Sequence, residues 1–123
     1  MPETEVVLFQ EGDGTVLLIE WLDKLPGKVQ EKCIVKIQRL EQMGHQLRRP
    51  EADILKHGIY ELRVAFRGIQ YRILYFFHGK QAIISHGLIK ESIVPQNEIN
   101  LAIVRKDRFE NNPAKHTYRE TLL

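Results

Sequence analysis

The sequence predicts an α+β domain in which an N-terminal helical hairpin packs on a twisted antiparallel sheet. Three observations support this. Apolar residues recur at helical spacing between residues 15 and 44, three consecutive strand-like runs follow between residues 59 and 87, and a last helical segment begins near Pro95. The predicted element order is β-α-α-β-β-β-α, and the uninterrupted run of strands favours an antiparallel meander.

The first elements are a strand and a short helix. The strand over residues 5–9 ends at the turn cluster of residues 11–14. Asp13 or Thr15 can cap the following helix, whose apolar residues recur at three-residue steps: Val16, Ile19, Leu22 and Leu25. Pro26 and Gly27 end this helix, and Pro26 also suits the start of the next one.

The second helix buries a single apolar stripe and ends at Gly44. The stripe consists of Val29, Cys33, Ile37 and Leu40. We interpret its basic residues as a solvated face rather than a second basic site: Lys28, Lys32, Lys36 and Arg39.

Three strands are predicted over residues 59–66, 69–77 and 81–87, with Gly68 and Gly79 between them. Pro95 opens the last helix, with Glu98 near its positive end. Ile99, Ala102 and Ile103 share one face of this helix, and its final turns carry Arg105, Lys106 and Arg108.

The chain is predicted to form a single domain over residues 1–110, followed by a mobile polar tail over residues 111–123. Cys33 is the only cysteine, so no internal disulfide can form, and it belongs to the apolar stripe of a helix. No apolar run reaches the ~18 residues of a membrane span. The first residues also lack the pattern of a secretory signal, so we expect a cytoplasmic protein.

The charge distribution is uneven although the net charge is only +2. Residues 1–25 hold six acidic residues and one basic residue, while the remaining 98 hold ten acidic and 17 basic residues. Residues 56–90 hold six basic residues, one acidic residue and three of the five histidines. A basic segment of this kind attracts polyanions such as nucleic acid, although a solvated surface without a partner is equally compatible with charge alone.

The register of the first two meander strands follows if Arg67 and Gly68 form a two-residue turn. One face then carries apolar or aromatic pairs, as a core face should. The opposite face carries Glu61, and it places Arg63 directly across from Arg72.

Two arginines opposite one another are normally unfavourable in a sheet. They make sense if the sheet binds a phosphodiester, because guanidinium groups give bidentate contacts to phosphate oxygens. The alternative is that Arg63 and Arg72 lie at the rim and pair with Glu61 or with a helix carboxylate.

The remaining candidates are weaker. Strand alternation puts His86 on the face opposite Arg72 unless a bulge intervenes, which favours a core or edge histidine. His116 and Tyr118 fall in the predicted tail and could fold back toward a site. The chain has no Gly-rich phosphate loop, HExxH or GxSxG motif, and no metal-ligand cluster, so no metal or cofactor is expected.

Four motifs in order resemble the RelE/ParE toxin superfamily, most closely its phage-derived, HigB-like branch. The strings are GIYELR over residues 58–63, YRILY over 71–75, HGLIK over 86–90 and PQNEI over 95–99, followed by Ala102. Each motif is degenerate alone, but together they span a resemblance over residues 15–109.

The resemblance implies a toxin of a type II toxin–antitoxin system, a metal-independent endoribonuclease that cleaves mRNA, often on the ribosome, and is masked by an antitoxin. Its motif positions imply phosphate-binding or catalytic roles for Arg63 and Arg72 and a basic role for Lys90. We further assign RNA contacts to Lys56, Arg67 and His86.

The sequence departs from the family pattern at two positions. Leu88 stands where Phe is usual, and Glu91 replaces the second Lys of a pair. The alternative function is therefore a non-catalytic module of the same fold that binds RNA or a protein, and a purely structural subunit is a third possibility.

Overall fold

The computed structural model of the chain describes residues 4–118 and confirms the predicted α+β class. The elements in order are β1 Glu5–Phe9, α1 Leu17–Asp23, α2 Gly27–Met43, a short 3-10 helix Gly44–Gln46, β2 Ala52–Ile54, β3 Tyr60–Phe66, β4 Ile69–His78, β5 Gln81–Lys90, α3 Gln96–Asn111 and β6 Thr117–Tyr118. The short strands β2 and β6 and the 3-10 helix are the described elements that the sequence did not predict.

The six strands form one sheet in the order β2-β3-β4-β5-β1-β6. The predicted meander β3-β4-β5 is antiparallel, and β1 adds to β5 in parallel. Strand β1 can occupy this inner position because it is apolar on both faces. Leu8 packs into the core on one side of the sheet, and Val7 and Phe9 pack into the core on the other.

Helices cover both faces of the sheet. Helices α1 and α2 pack on the face that carries Leu62, Val64 and Ile73, as expected for the helical hairpin. Helix α3 packs on the opposite face through Ile99, Ala102 and Phe109, against a cluster that includes Leu74, Phe76, Ile83 and Leu88. The face that bears the predicted arginine pair is therefore partly covered by α3.

The β3–β4 hairpin has the register that the sequence predicts, with Arg63 paired to Arg72 and Phe66 to Ile69. Its turn residues Arg67 and Gly68 both have positive φ angles, of 50° and 81°. Two positive φ angles in a two-residue loop match the type I′ turn, whose twist suits the flanking strands.

A β-bulge changes the alignment of β4 and β5. Tyr75 pairs with Ile84, but the preceding Leu74 pairs with His86, so that Ser85 is the extra residue. The bulge therefore brings His86 onto the same face as Arg72, where unbroken alternation would have put it on the other face. Strand β5 also continues beyond the predicted end, to Lys90.

One expectation about the helices was wrong. The N-cap of α1 is Val16, without a side-chain cap, while Asp13 accepts a hydrogen bond from the Thr15 amide within the preceding turn. Arg105, in the final turns of α3 as predicted, does not point into solvent, because only 2% of it is exposed. Its guanidinium instead pairs with Glu11 and donates to the Ser85 carbonyl.

The segment predicted as a tail differs from the prediction as far as the structure describes it. Thr117 and Tyr118 form β6 on the edge of β1. His116 is buried, stacks on Phe9 with ring centroids 4.8 Å apart, and its Nδ1 lies 2.8 Å from the Gln10 carbonyl. Residues 119–123 of the predicted tail lie outside the described residues. Within residues 4–118, no helix has the length and apolar character to cross a membrane.

Candidate nucleic-acid interface

The three predicted catalytic residues lie on one face of the sheet. Arg63, Arg72 and Leu88 form one row across strands β3, β4 and β5, and the next row toward the hairpin turn contains Ala65, Gln70 and Lys90. Lys90 is therefore a diagonal neighbour of Arg72, at a distance that long side chains can span. The structure thus brings Arg63, Arg72 and Lys90 together.

The carboxylate of Glu61 lies between the two arginines. Its Oε2 is 2.9 Å from Nε of Arg63, and its Oε1 is 3.2 Å from Nε of Arg72. The second pair is at ion-pair distance without hydrogen-bond alignment. Asp53 adds a second carboxylate 3.2 Å from Arg63, and it also pairs with Arg49. The arginine pair is therefore largely compensated by acidic groups. The pairing with Glu61 is part of the alternative that the sequence left open, but Arg72 is buried and does not lie at the rim.

Arg72 is the more constrained of the two arginines. Only 4% of the residue is exposed, and its Nη1 donates to the Tyr71 carbonyl at 2.9 Å. Burial lowers the pKa of Arg72; Glu61 opposes this shift, and the neighbouring Arg63 adds to it. The group still stays charged, because a guanidinium does not lose its proton in proteins. A ligand would meet a positive group that is already fixed in position.

A cleft of about 880 Å³ opens beside the arginines, between α2 and the outer edge of β3. We call it the α2–β3 cleft; its lining residues are Lys28, Glu31, Lys32, Val35, Lys36, Pro50, Glu51, Arg63, Val64, Ala65, Gln70 and Arg72. Five of these residues are basic and two are acidic. Three of the α2 lysines, which the sequence analysis interpreted as a solvated face, line one wall of this cleft.

The edge of β3 is open because β2 is short. Strand β2 pairs with β3 only at residues 60–62, and the last backbone contact on this side is from the Arg63 amide to the Glu51 carbonyl at 2.8 Å. Beyond it, Ala65 is exposed at the floor of the cleft. The cleft therefore joins the basic wall of α2 to the sheet face that carries Arg63 and Gln70.

Arg67 lies in the β3–β4 turn, next to the cleft. Its Cζ is 5.1 Å from the centre of the Phe66 ring, and Nζ of Lys32 is 5.8 Å from the same centre. The Phe66 ring thus makes cation–π contacts with one cation from α2 and one from the turn.

The other two predicted RNA contacts lie elsewhere. Lys56 is exposed and donates to Gln96 at 3.2 Å, beside the start of α3 and outside the lining of the cleft. His86 is 4% exposed beneath α3, with its Nδ1 2.8 Å from Ser85 Oγ and its Nε2 3.3 Å from a Glu98 oxygen. Burial lowers the pKa of His86 despite Glu98. The structure gives His86 a place in a buried polar network and no access to a bound polymer.

The two departures from the family pattern have different structural consequences. Leu88 is 8% exposed and packs in the apolar cluster under α3, so it is a core residue. Glu91 is exposed directly after Lys90, at the end of β5. Only the second change alters the charge of the surface.

The sequence analysis missed Lys28, Lys32 and Glu51 as residues of the site. The lysines recur one helical turn apart, which is a signal that could have found them. Their approach to β3 depends on tertiary packing. Within the part of the chain that is described, no group of three or more His, Cys, Asp or Glu side chains could hold a metal ion.

Helices flanking a six-stranded, mostly antiparallel sheet make this a RelE-like α+β fold with a basic cleft beside the sheet.

The chain belongs to the family described as "Phage derived protein Gp49-like (DUF891)", which its sequence matches over residues 20–107, more than half of its length. This is a family of RelE/HigB-like toxins, associated with toxin–antitoxin systems. No curated protein shows significant similarity to the chain.

Proposed function

We propose that this protein is the toxin of a type II toxin–antitoxin system, of the HigB-like branch, and that it cleaves mRNA to arrest translation. The observation that carries the proposal is the grouping of Arg63, Arg72 and Lys90 on one sheet face beside the α2–β3 cleft, in a chain of this family. Membership of this family implies an antitoxin partner, which would act by covering this basic surface.

The chemistry would use the RNA's own nucleophile. The 2′-oxygen bonds to the adjacent phosphorus, the bond from phosphorus to the 5′-oxygen breaks, and the products carry a 2′,3′-cyclic phosphate and a 5′-hydroxyl. A proton leaves the 2′-hydroxyl and one is delivered to the 5′-oxygen. The protein must orient the nucleotide and stabilise the negative charge of the phosphorane.

The residues would divide these tasks by position. Arg63 is about a third exposed in its side chain and can turn a donor toward a phosphate in the cleft, while Arg72 supplies a fixed charge behind it. Lys90 forms no ion pair within the described residues, so it is available to the leaving group or to the phosphorane. Glu61 holds both guanidinium groups in place and neutralises part of their positive charge.

The test is expression from a tight promoter, with growth and transcript ends as readouts. Wild type should arrest growth and produce 2′,3′-cyclic phosphate ends, and Lys90→Gln should lose both while folding normally. The matched control is Lys24→Gln, an exposed lysine at the end of α1 that should behave as wild type. Arg72→Ala is less informative, because it would leave Glu61 buried without one of its partners. Growth and intact transcripts with wild type would contradict the proposal.

The second candidate is a binding module of the same fold without nuclease activity. It is favoured by the compensation of both arginines by Glu61 and by the exposed Glu91 next to Lys90. This candidate predicts salt-dependent RNA binding with no cleavage, including on translating ribosomes.

A further inference from the structure

The basic residues around the α2–β3 cleft differ in how far their charges are compensated. Lys36 pairs with Glu51 at 3.1 Å, and Arg63 and Arg72 pair with Glu61. Among the described residues, Lys32 takes part in no ion pair. Lys28 has only Glu31 at 3.9 Å, with both side chains about three-quarters exposed, and such a pair contributes little.

Arg67 adds a third charge of the same kind beside the cleft, in the β3–β4 turn. It forms no ion pair within residues 4–118, and its guanidinium shares the Phe66 ring with Lys32. Contact with an aromatic ring holds a cation in place without cancelling its charge. Lys28, Lys32 and Arg67 are therefore the cations in and beside this cleft whose charges are least compensated.

Apolar residues also line the cleft, between its charged residues. Val35 is 53% exposed on the α2 wall, and Val64, Ala65 and Pro50 line the other side. A volume of about 880 Å³ exceeds what a single small anion requires and is of the size that accommodates larger ligands. Positive charges at the rim with apolar surface between them suit a single strand, whose phosphates and unpaired bases are both exposed.

We propose that the α2–β3 cleft binds the backbone of single-stranded RNA next to the sheet arginines, with Lys28, Lys32 and Arg67 contacting its phosphates. This deepens the proposed function and rests on it for the identity of the polymer. The cleft continues directly onto Arg63, Gln70 and Arg72, so a strand bound in it would deliver the adjoining phosphate to the candidate catalytic face. An acidic peptide is the competing occupant, since the exposed edge of β3 at Ala65 could also receive an extended chain.

The test measures binding of a short, labelled, mixed-sequence single-stranded RNA as a function of salt concentration. The cleft variant is Lys28→Ala/Lys32→Ala, and the control is Lys24→Ala/Lys80→Ala, which removes the same charge from exposed positions away from the cleft. A third variant, Arg67→Asn, removes the charge while keeping a residue that tolerates the positive φ of this turn. Thermal unfolding establishes that all three are folded.

The cleft variant should bind the RNA roughly tenfold more weakly, and the slope of log K against log salt should fall by about 1.4, or 0.7 for each lost phosphate contact. Arg67→Asn should lower the slope by about 0.7, and the control should match wild type. Equal losses in the cleft variant and the control, or no loss in either, would overturn the proposal. The proposal would also be overturned if these substitutions weakened the binding of a labelled polyglutamate and left the binding of RNA unchanged.

The readouts separate this inference from the nuclease proposal. If wild type binds RNA through the cleft but yields no cyclic phosphate ends, the inference stands and the nuclease proposal fails. If wild type cleaves RNA and the cleft variant binds it equally well, the nuclease proposal stands and the inference fails.

Discussion

Glu61 is the residue that sets the electrostatics of the arginine-bearing sheet face. It is 3% exposed and contacts both Arg63 and Arg72, so one buried carboxylate both positions and partly neutralises the pair. A cross-strand arginine pair would be unfavourable without it. The same residue therefore makes the pair possible and limits how strongly it can attract an anion.

Replacing this carboxylate should lower the stability of the fold and raise its affinity for RNA. Glu61→Gln removes the negative charge that two guanidinium groups share. We expect the unfolding free energy to fall by about 3 kcal/mol, because breaking a buried ion pair leaves a buried charge without its counter-charge. RNA should bind more tightly. Urea unfolding and RNA titration measure the two effects. Glu31→Gln, at the exposed rim of the cleft, is the control and should change stability by less than about 1 kcal/mol.

Gly87 allows Trp21 of α1 to lie directly on β5. A Cβ atom at this position would overlap the indole ring. We expect Gly87→Ala to reduce the unfolding free energy by about 1–3 kcal/mol through overpacking, measured by denaturant unfolding. Gly27→Ala is the matched control: no atom within 4 Å would meet its Cβ, and alanine suits the first turn of α2. An unchanged midpoint for Gly87→Ala would show that the indole can move away at no cost.

At the scale of elements, α2 is held beside the sheet by a small ionic cluster. Glu51, just before β2, accepts hydrogen bonds from Arg39 at 3.0 and 3.1 Å and from Lys36 at 3.1 Å. These contacts lower the pKa of Glu51 to about 2. Since Glu51 also lines the cleft, the cluster fixes the distance between its two walls.

This cluster predicts a pH dependence of stability. Because the pKa of Glu51 is lower in the folded state than its usual value of 4.5, its contribution is fully present above pH 4.5 and is lost as the pH falls toward about 2. Wild type should therefore lose more unfolding free energy than Glu51→Gln between pH 5 and pH 2. Urea unfolding at a series of pH values measures the difference. Parallel losses in the two proteins would contradict the assignment.

At the scale of the whole molecule, the two edges of the sheet differ in character. The edge at β2 and β3 carries the cleft and Arg63, while the edge at β1 carries β6 and the buried His116. Stabilisation of the second edge should therefore be separable from RNA binding at the first.

Two truncations test this separation. A chain ending at Asn112 lacks the contacts of His116 with Phe9 and Gln10, and it should melt at a lower temperature than one ending at Tyr118. Both should bind RNA with the same salt dependence at a temperature where both are folded. A difference in the salt slope between the two would show that the β6 edge contributes to the RNA surface.

The sequence by itself determined the local elements and the hairpin. Alternation of apolar side chains and the Arg67-Gly68 turn predicted the β3–β4 register and the opposition of Arg63 and Arg72, which are confirmed. These are short-range properties, because strand period and turn type depend on residues near one another in the chain. The motifs also pointed to the toxin family that the match over residues 20–107 shows.

Only the tertiary structure decided what surrounds the two arginines. The bulge at Ser85 sets which side chains of β5 share their face, and the packing of α3 buries His86 there. The approach of α2 to the open edge of β3 turns three helix lysines into the wall of a cleft. Such contacts join residues far apart in sequence, and their geometry depends on how the helices and strands pack. Periodicity along one segment carries no information about that packing.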